Sequence, residues 1–246
     1  MKNTFLLIIL ISSFSTFAQI PENTNFHHRI FVGSTFPLRI DAGYELQYKR
    51  LQINGYIGFM TKNYKSFVFE ILQKIKSDYK GELGYLKDFV SPKTQFGGEV
   101  KLDIGKGISF GATAQTFNAT ITDTPRGITA GILPENLVYI EGFLNNQPAA
   151  QNIYFRKPVE AFMNTILVGP VLEKTFWLNT QKTIFIRTKL SYWFLVDRKN
   201  DLNSKDFTQE ELIAVDTFKP LFIKKIDKIS SQFQAPSFGV EMGLSF

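Results

Sequence analysis

The chain has no cysteine. That excludes a disulfide framework, and with it a lipid anchor built on a cysteine at the start of a mature chain. Histidine is nearly as scarce: two residues, the adjacent His27 and His28. Neighbours on a strand point to opposite faces, so the pair does not converge on one metal, and without cysteine no zinc or copper site is expected. No cofactor motif is present. No block of like charge is long enough to suggest a nucleic-acid partner. Beyond the N-terminus, no apolar run nears the ~20 residues of a membrane-spanning helix.

The N-terminus itself is informative. Lys2 gives a charged start, residues 5–11 are almost purely aliphatic, and Ser12, Ser13, Ser15 and Thr16 lead to Phe17-Ala18-Gln19. Charged start, short apolar core and small-residue exit form a secretory signal peptide. Thr16 and Ala18 suit the positions before a cut, so cleavage after Ala18 is expected, leaving residues 19–246 as one mature domain. Its loss removes one of 28 basic residues and none of the 22 acidic ones, so a surplus of five positive charges remains.

At the other end, Phe238, Val240, Met242, Leu244 and Phe246 alternate with Ser237, Gly239, Glu241, Gly243 and Ser245. One face is apolar and the other small or polar, with period 2. As a free edge such a strand invites aggregation. It resembles the last strand of small bacterial outer-membrane β-barrel proteins, which end on Phe and use that strand as a recognition signal for the barrel-assembly machinery; this chain has Leu244 where the family usually has an aromatic. The resemblance implies a cell outer-membrane location, outer-membrane lipid and the assembly machinery as partners, and a monomer. Lipid leaves only helices and closed barrels as spanning structures.

The interior of the sequence carries the same pattern. Leu38, Ile40, Ala42, Tyr44, Leu46 and Tyr48 form one apolar face; Leu51, Ile53, Ile57 and Phe59 follow after a tight turn at Lys49-Arg50. Phe96, Val100 and Leu102 precede a Gly105-Lys106-Gly107 turn, and Ile108, Phe110, Ala112 and Ala114 come after it. Residues 162–176 match less well because Pro170 falls inside them, which argues for an edge or a bulge. Ile184, Ile186, Thr188, Leu190, Tyr192 and Phe194 form a further face. With a short first strand at 26–33 and the terminal strand, the expectation is an all-β antiparallel transmembrane barrel of about eight strands, ten if the loops hide a hairpin. Twenty-five Phe and 9 Tyr suit aromatic girdles at both membrane interfaces. The short turns would face the periplasm and the long connections the outside.

Those connections, 61–92, 118–160 and 197–235, are partly helical by pattern. Val68, Ile71, Leu72, Ile75 and Tyr79 fall on one helical face. Short helices are also expected at 134–140, where Pro134 stands in the first turn, at 208–215 and at 222–229. They would cap the barrel mouth or lie on the outer leaflet.

The polar faces of the strands carry Arg39, Asp41, Glu45, Glu99, Lys101, Asp103, Glu173, Arg187, Lys189 and Glu241. In an eight-stranded barrel the interior is just wide enough for side chains to fill, so these residues are expected to form a paired interior charge network. The leading expectation for function is a non-enzymatic barrel with a structural or surface-interaction role. A narrow pore or transporter for small solutes or hydrophobic compounds is the first alternative, and a lipid-acting enzyme the second. No catalytic residues are assigned: both histidines fall at the periplasmic end of the first strand, away from the outer rim.

Overall fold

In the computed structural model, the described residues are 26–37, 39–145, 148–203, 208, 219–228 and 236–246. The signal segment, its cut after Ala18 and the helix expected over 208–215 (Thr208 apart) lie outside them.

Ten strands form one antiparallel sheet: β1 (Phe26–Phe36), β2 (Arg39–Tyr48), β3 (Leu51–Phe59), β4 (Val90–Pro92), β5 (Gln95–Gly105), β6 (Ile108–Asp123), β7 (Val159–Trp177), β8 (Ile184–Tyr192), β9 (Phe194–Asn203) and β10 (Pro236–Ser245). Eight of them close on themselves in the order β6-β5-β3-β2-β1-β10-β8-β7, with β7 pairing back onto β6. Closure removes the free edges that so apolar a set of strands would otherwise expose. First and last strands meet at Arg29↔Ser245 through Phe36↔Phe238, and the backbones of His28 and Phe246 extend that seam with reciprocal N–H to carbonyl bonds of 3.0 and 2.9 Å.

The eight–ten ambiguity of the sequence has a physical resolution. β6 and β7, at 16 and 19 residues, are much taller than the 9–11 residues of the other barrel strands. Their upper halves leave the ring and take new partners: β4 pairs with β6 at Val90↔Ile121, and β9 pairs with β7 at Ala161↔Leu202. The two extra strands therefore build a four-stranded wall above one side of the barrel. Trp193 interrupts what the sequence reads as one strand over 184–194, separating β8, in the ring, from β9, in the wall. Pro170 lies in that gap, since β7 pairs with β8 from Val171 and with β9 up to Val168. A residue without an N–H fits where no partner calls for one.

Three short turns join strands at one end. Each places a lysine in the left-handed region: Lys49 (φ 52°), Lys106 (φ 55°) and Lys182 (φ 54°). All the helices among the described residues lie in the connections at the other end. They are α1 (Lys62–Ile75), α2 (Lys80–Phe89), α3 (Pro125–Ile132), α4 (Leu137–Leu144), α5 (Pro148–Arg156) and α6 (219–228). The single helix face read across 68–79 is thus split, because α1 stops at Lys76 and a 3-10 turn at Ser77–Tyr79 intervenes. α2, which begins after that face ends, and α3 and α5 fall where no helix is expected. Leu86, Ile128, Ile132, Ile153, Phe222 and Ile226, none more than 1% exposed, pack with Ile121, Ala161 and Met163 of the wall. The cap therefore has a hydrophobic core of its own, built against the inward side of β6 and β7.

Local signals hold the cap helices. Thr124 stands before Pro125, and its Oγ1 accepts the Gly127 N–H at 3.0 Å, with proline in the first turn where its missing donor costs nothing. Thr124→Ala is expected to cost about 1 kcal/mol, read as faster amide exchange confined to α3.

Candidate functional site

Strand alternation sorts side chains into two populations. Inward positions on β1, β2, β5, β6, β7, β8 and β10 are odd-numbered; on β3 they are even. Large inward side chains face inward glycines. A Cβ at Gly43 would lie 2.3 Å from the Phe31 ring, at Gly97 2.4 Å from Tyr56, and at Gly243 2.4 Å from Phe185. The glycines make room for an aromatic layer of Phe31, Tyr56 and Phe185.

Around that layer lies a continuous ion-pair network. The Glu45 carboxylate accepts from Arg29 (2.8 Å), Lys101 (3.0 Å) and Arg187 (2.8 Å). Lys101 also meets Glu99 (3.1 Å) and Glu173 (2.5 Å). Arg187 reaches Glu173 (2.8 Å) and Glu241 (3.3 Å), and Lys189 bridges Glu99 (2.9 Å) to Glu241 (2.5 Å). Asn54 donates to Glu99 at 2.7 Å. Four cations face four carboxylates, so the cluster is neutral, as buried ions must be to persist. Arg187 and Lys189 also lie over aromatic faces, with the Arg187 guanidinium 4.8 Å from the Phe185 ring.

Nine of the ten interior charges read from sequence are buried in the bore. Seven belong to the network. Arg39 and Asp41 form a separate pair at 2.8 Å nearer the cap, where Arg39 stacks 3.9 Å from the Tyr56 ring. Asp103 departs from the expectation. It lies at the short-turn end, beside the register shift of β5, where its Oδ1 accepts the Gly105 N–H at 2.7 Å. One residue was missed: Arg29, at an inward position of the first strand and directly opposite Glu45.

Below the network, at the short-turn end, a vestibule of about 730 Å³ is lined by His27, Arg29, Asp103, Lys106, Trp177 and Lys182 among others. Above it, Trp193 closes the bore, its Nε1 donating to Ser237 Oγ at 2.8 Å, and the cap core covers the rest. The histidines part as alternation requires. His27 lines the vestibule, while His28 faces outward, hydrogen-bonded through Nδ1 to the Tyr44 hydroxyl and stacked 6.0 Å from Phe246. Among the described residues, no three His, Cys, Asp or Glu side chains are grouped to hold a metal.

The outward population is the opposite of the bore. Val32, Ile57, Phe96, Val100, Leu190 and Met242 are each 53–60% exposed. Among the described outward positions of the eight-stranded ring, below the wall, Lys174 alone is charged. It lies at the short-turn edge and bends its ammonium onto the Lys106 carbonyl. Phe238, Val240, Met242 and Leu244 of the last strand belong to this belt, at 37–54% exposure. The nine residues of β3, at about 3.4 Å each and tilted by about 40°, give the belt a height of roughly 20–25 Å.

The cap is tied across its top by Lys225 of α6, which donates to Glu82 of α2 (3.1 Å) and to Glu135 in the 3-10 turn Pro134–Asn136 (3.0 Å). Partial burial opposes the Lys225 charge, but those two hydrogen bonds outweigh it and raise its pKa above the ordinary lysine value. Glu135 is held below the usual carboxylate range by its own backbone N–H and then by Lys225. A depressed carboxylate stabilises above its unfolded pKa and loses that as pH falls through the folded one; a raised lysine stabilises below its unfolded pKa and loses that as pH rises. Both contributions are full at neutral pH. Protease cleavage within the cap is expected to quicken as pH falls below about 4, and Lys225→Met should flatten that response at a cost under about 1 kcal/mol.

No protein-family model matches the sequence, and no curated protein does. Among solved structures, the chain is similar to Ail, the attachment invasion locus protein of Yersinia pestis, at 7% identity and a TM-score of 0.31, over 90% of this chain and 95% of that one. It is similar also to CarO of Acinetobacter baumannii, at 8% identity and a TM-score of 0.34, over 89% of this chain and 97% of that one. Likeness of this depth has no bearing on what the chain does; the closed eight-stranded barrel stands on its own strand pairings.

Proposed function

We propose that the chain is an integral barrel of the bacterial outer membrane, exported by its N-terminal segment, with a non-enzymatic structural or surface-interaction role carried by the helical cap. One observation carries the reading: among the described residues, an exposed apolar belt, charged only at Lys174 on its short-turn edge, encircles a barrel whose other ring-strand charges are turned inward. In water such a surface far exceeds the few hundred Å² of contiguous apolar area that soluble monomers tolerate. In lipid it is what a spanning barrel needs. The terminal-strand residues Phe238, Val240, Met242, Leu244 and Phe246 suit a barrel-assembly signal on the same reading.

The test is fractionation. The protein is expected to stay with outer membranes through a urea wash and to need detergent for release; recovery in a detergent-free soluble fraction overturns the reading. A filled bore sets the structural role ahead of transport, and stable single-channel steps in planar bilayers would reverse that order. Hydrolysis of outer-membrane lipid by the purified protein, lost in His27→Ala or His28→Ala, would replace the non-enzymatic role.

A further inference from the structure

Helix α1 has more apolar surface than the cap uses. On a 100° wheel its apolar residues run through Phe67, Ile71, Tyr64, Ile75, Val68, Leu72 and Phe69, about 200° in all, interrupted only by Lys65 between Leu72 and Phe69, where its ammonium donates to the Val90 carbonyl. The far part of the arc is spent inside the cap: Val68 and Phe69 are buried, and Leu72 packs on the cap core. The near part is not. Phe67 is 54% and Ile75 64% exposed.

That open part sits on the barrel's outer wall. The Phe67 ring meets Phe36 edge-on at 6.2 Å. The Tyr64 hydroxyl accepts from Ser34 Oγ (3.2 Å) and donates to the Thr35 carbonyl (3.3 Å). Ser34 and Phe36 are outward positions of β1, in line with the exposed Val32. The apolar stripe of α1 therefore continues the belt past the rim of the barrel. A lone exposed Phe on a helix is ordinary. A stripe at i, i+4 and i+8 joined to the belt by a ring contact is not a scattered residue.

Charge points the same way. Residues 62–76 carry four lysines against Glu70 alone, and Lys74 falls about 20° from Phe67 on the wheel. An apolar face edged by lysine is the composition of a helix lying in the plane of an anionic lipid surface.

Resting on the membrane placement above, we infer that α1 is an interfacial helix: Phe67 and Ile75 enter the lipid beside β1, and Lys74 meets the phosphate-bearing headgroups of the outer leaflet. The cap is thereby seated on the membrane on the β1 side, and not only on the wall of β6 and β7.

The absence of native cysteine makes the test direct. A nitroxide is placed at Phe67→Cys, at Val100→Cys in the belt, and at Val138→Cys on α4, which is 82% exposed. The full-length protein is studied in vesicles of phosphatidylcholine with phosphatidylglycerol and of phosphatidylcholine alone. The Val100 and Phe67 labels should both favour collisions with oxygen over a water-soluble nickel chelate, and the Val138 label the reverse. Lys74→Gln should lower the buried-to-exposed ratio at Phe67 about fivefold in the anionic vesicles and leave it unchanged in the neutral ones. A Phe67 label as open to nickel as Val138, with Val100 shielded, overturns the interfacial helix and leaves the barrel in its membrane. A Val100 label open to nickel overturns the membrane placement itself. Shielding at Phe67 that ignores both lipid charge and Lys74→Gln overturns the headgroup contact.

Discussion

Glu45→Ala is expected to destabilise the barrel by about 3–5 kcal/mol, the cost of removing one partner from a buried ion pair. The Glu45 carboxylate is completely buried and is shared by Arg29, Lys101 and Arg187 at 2.8–3.0 Å. Its loss leaves four buried cations facing only Glu99, Glu173 and Glu241. The measurement is a urea unfolding midpoint of the purified protein in vesicles, followed by the shift between folded and unfolded bands on unheated gels. A second variant separates charge from shape: Glu45→Gln with Lys101→Met restores neutrality and is expected to recover at least half of the loss. The two substitutions are in contact, so their effects will not add. A change below about 1 kcal/mol for Glu45→Ala is the value for solvent-screened pairs. It would mean that water enters the bore, and the case for a filled bore would fall with it.

The bore was the most legible part of this molecule, for a geometrical reason. Period-2 alternation is imposed by the backbone, so one apolar face per strand assigns the other face to the interior, and Glu45, Glu99, Lys101, Arg187 and Glu241 follow from it. Alternation does not say where a strand begins to matter. Arg29 lay within a first strand read only for its existence, and nothing local marked it as the partner of Glu45, 16 residues on. Asp103 has the right parity but sits where the bore opens and the turn takes its carboxylate. Parity fixes the face, not the depth.

The cap was much less legible. Ala119, Thr120 and Ile121 are consecutive and all buried, because the upper part of β6 is covered on both sides. Two-sided burial erases the alternation by which a strand is recognised, so the top of β6 reads as loop. α3 and α5 are eight and nine residues long, too short for a periodic pattern to stand out; only the Thr124-Pro125 pair at the start of α3 offered a local signal. Helices of that length are held by tertiary packing more than by their own sequence, here by Ile121, Ala161 and Met163 of strands far away in the chain.

Val100→Arg is the complementary experiment, directed at the belt. Val100 stands at the middle of β5, between Ile53 and Ala112 on the neighbouring strands, and is 53% exposed. If the belt faces lipid, an arginine there is expected to cost about 2–4 kcal/mol, and Ile104→Arg, on the same face at the short-turn end, about 0–1 kcal/mol. If the belt faced water, both would stay within about 0.5 kcal/mol, as surface substitutions do. The gradient is the diagnostic quantity: a cost that rises toward the middle of the strand measures depth in a hydrocarbon layer, which no soluble surface can imitate. It is read from folding titrations in phosphatidylcholine vesicles with Leu102→Arg as an intermediate position. Equal costs at 100, 102 and 104 would remove the membrane from this account, whatever their size. Val100→Leu, which keeps the face apolar, should fold like the native protein and shows that the loss belongs to the charge and not to the site.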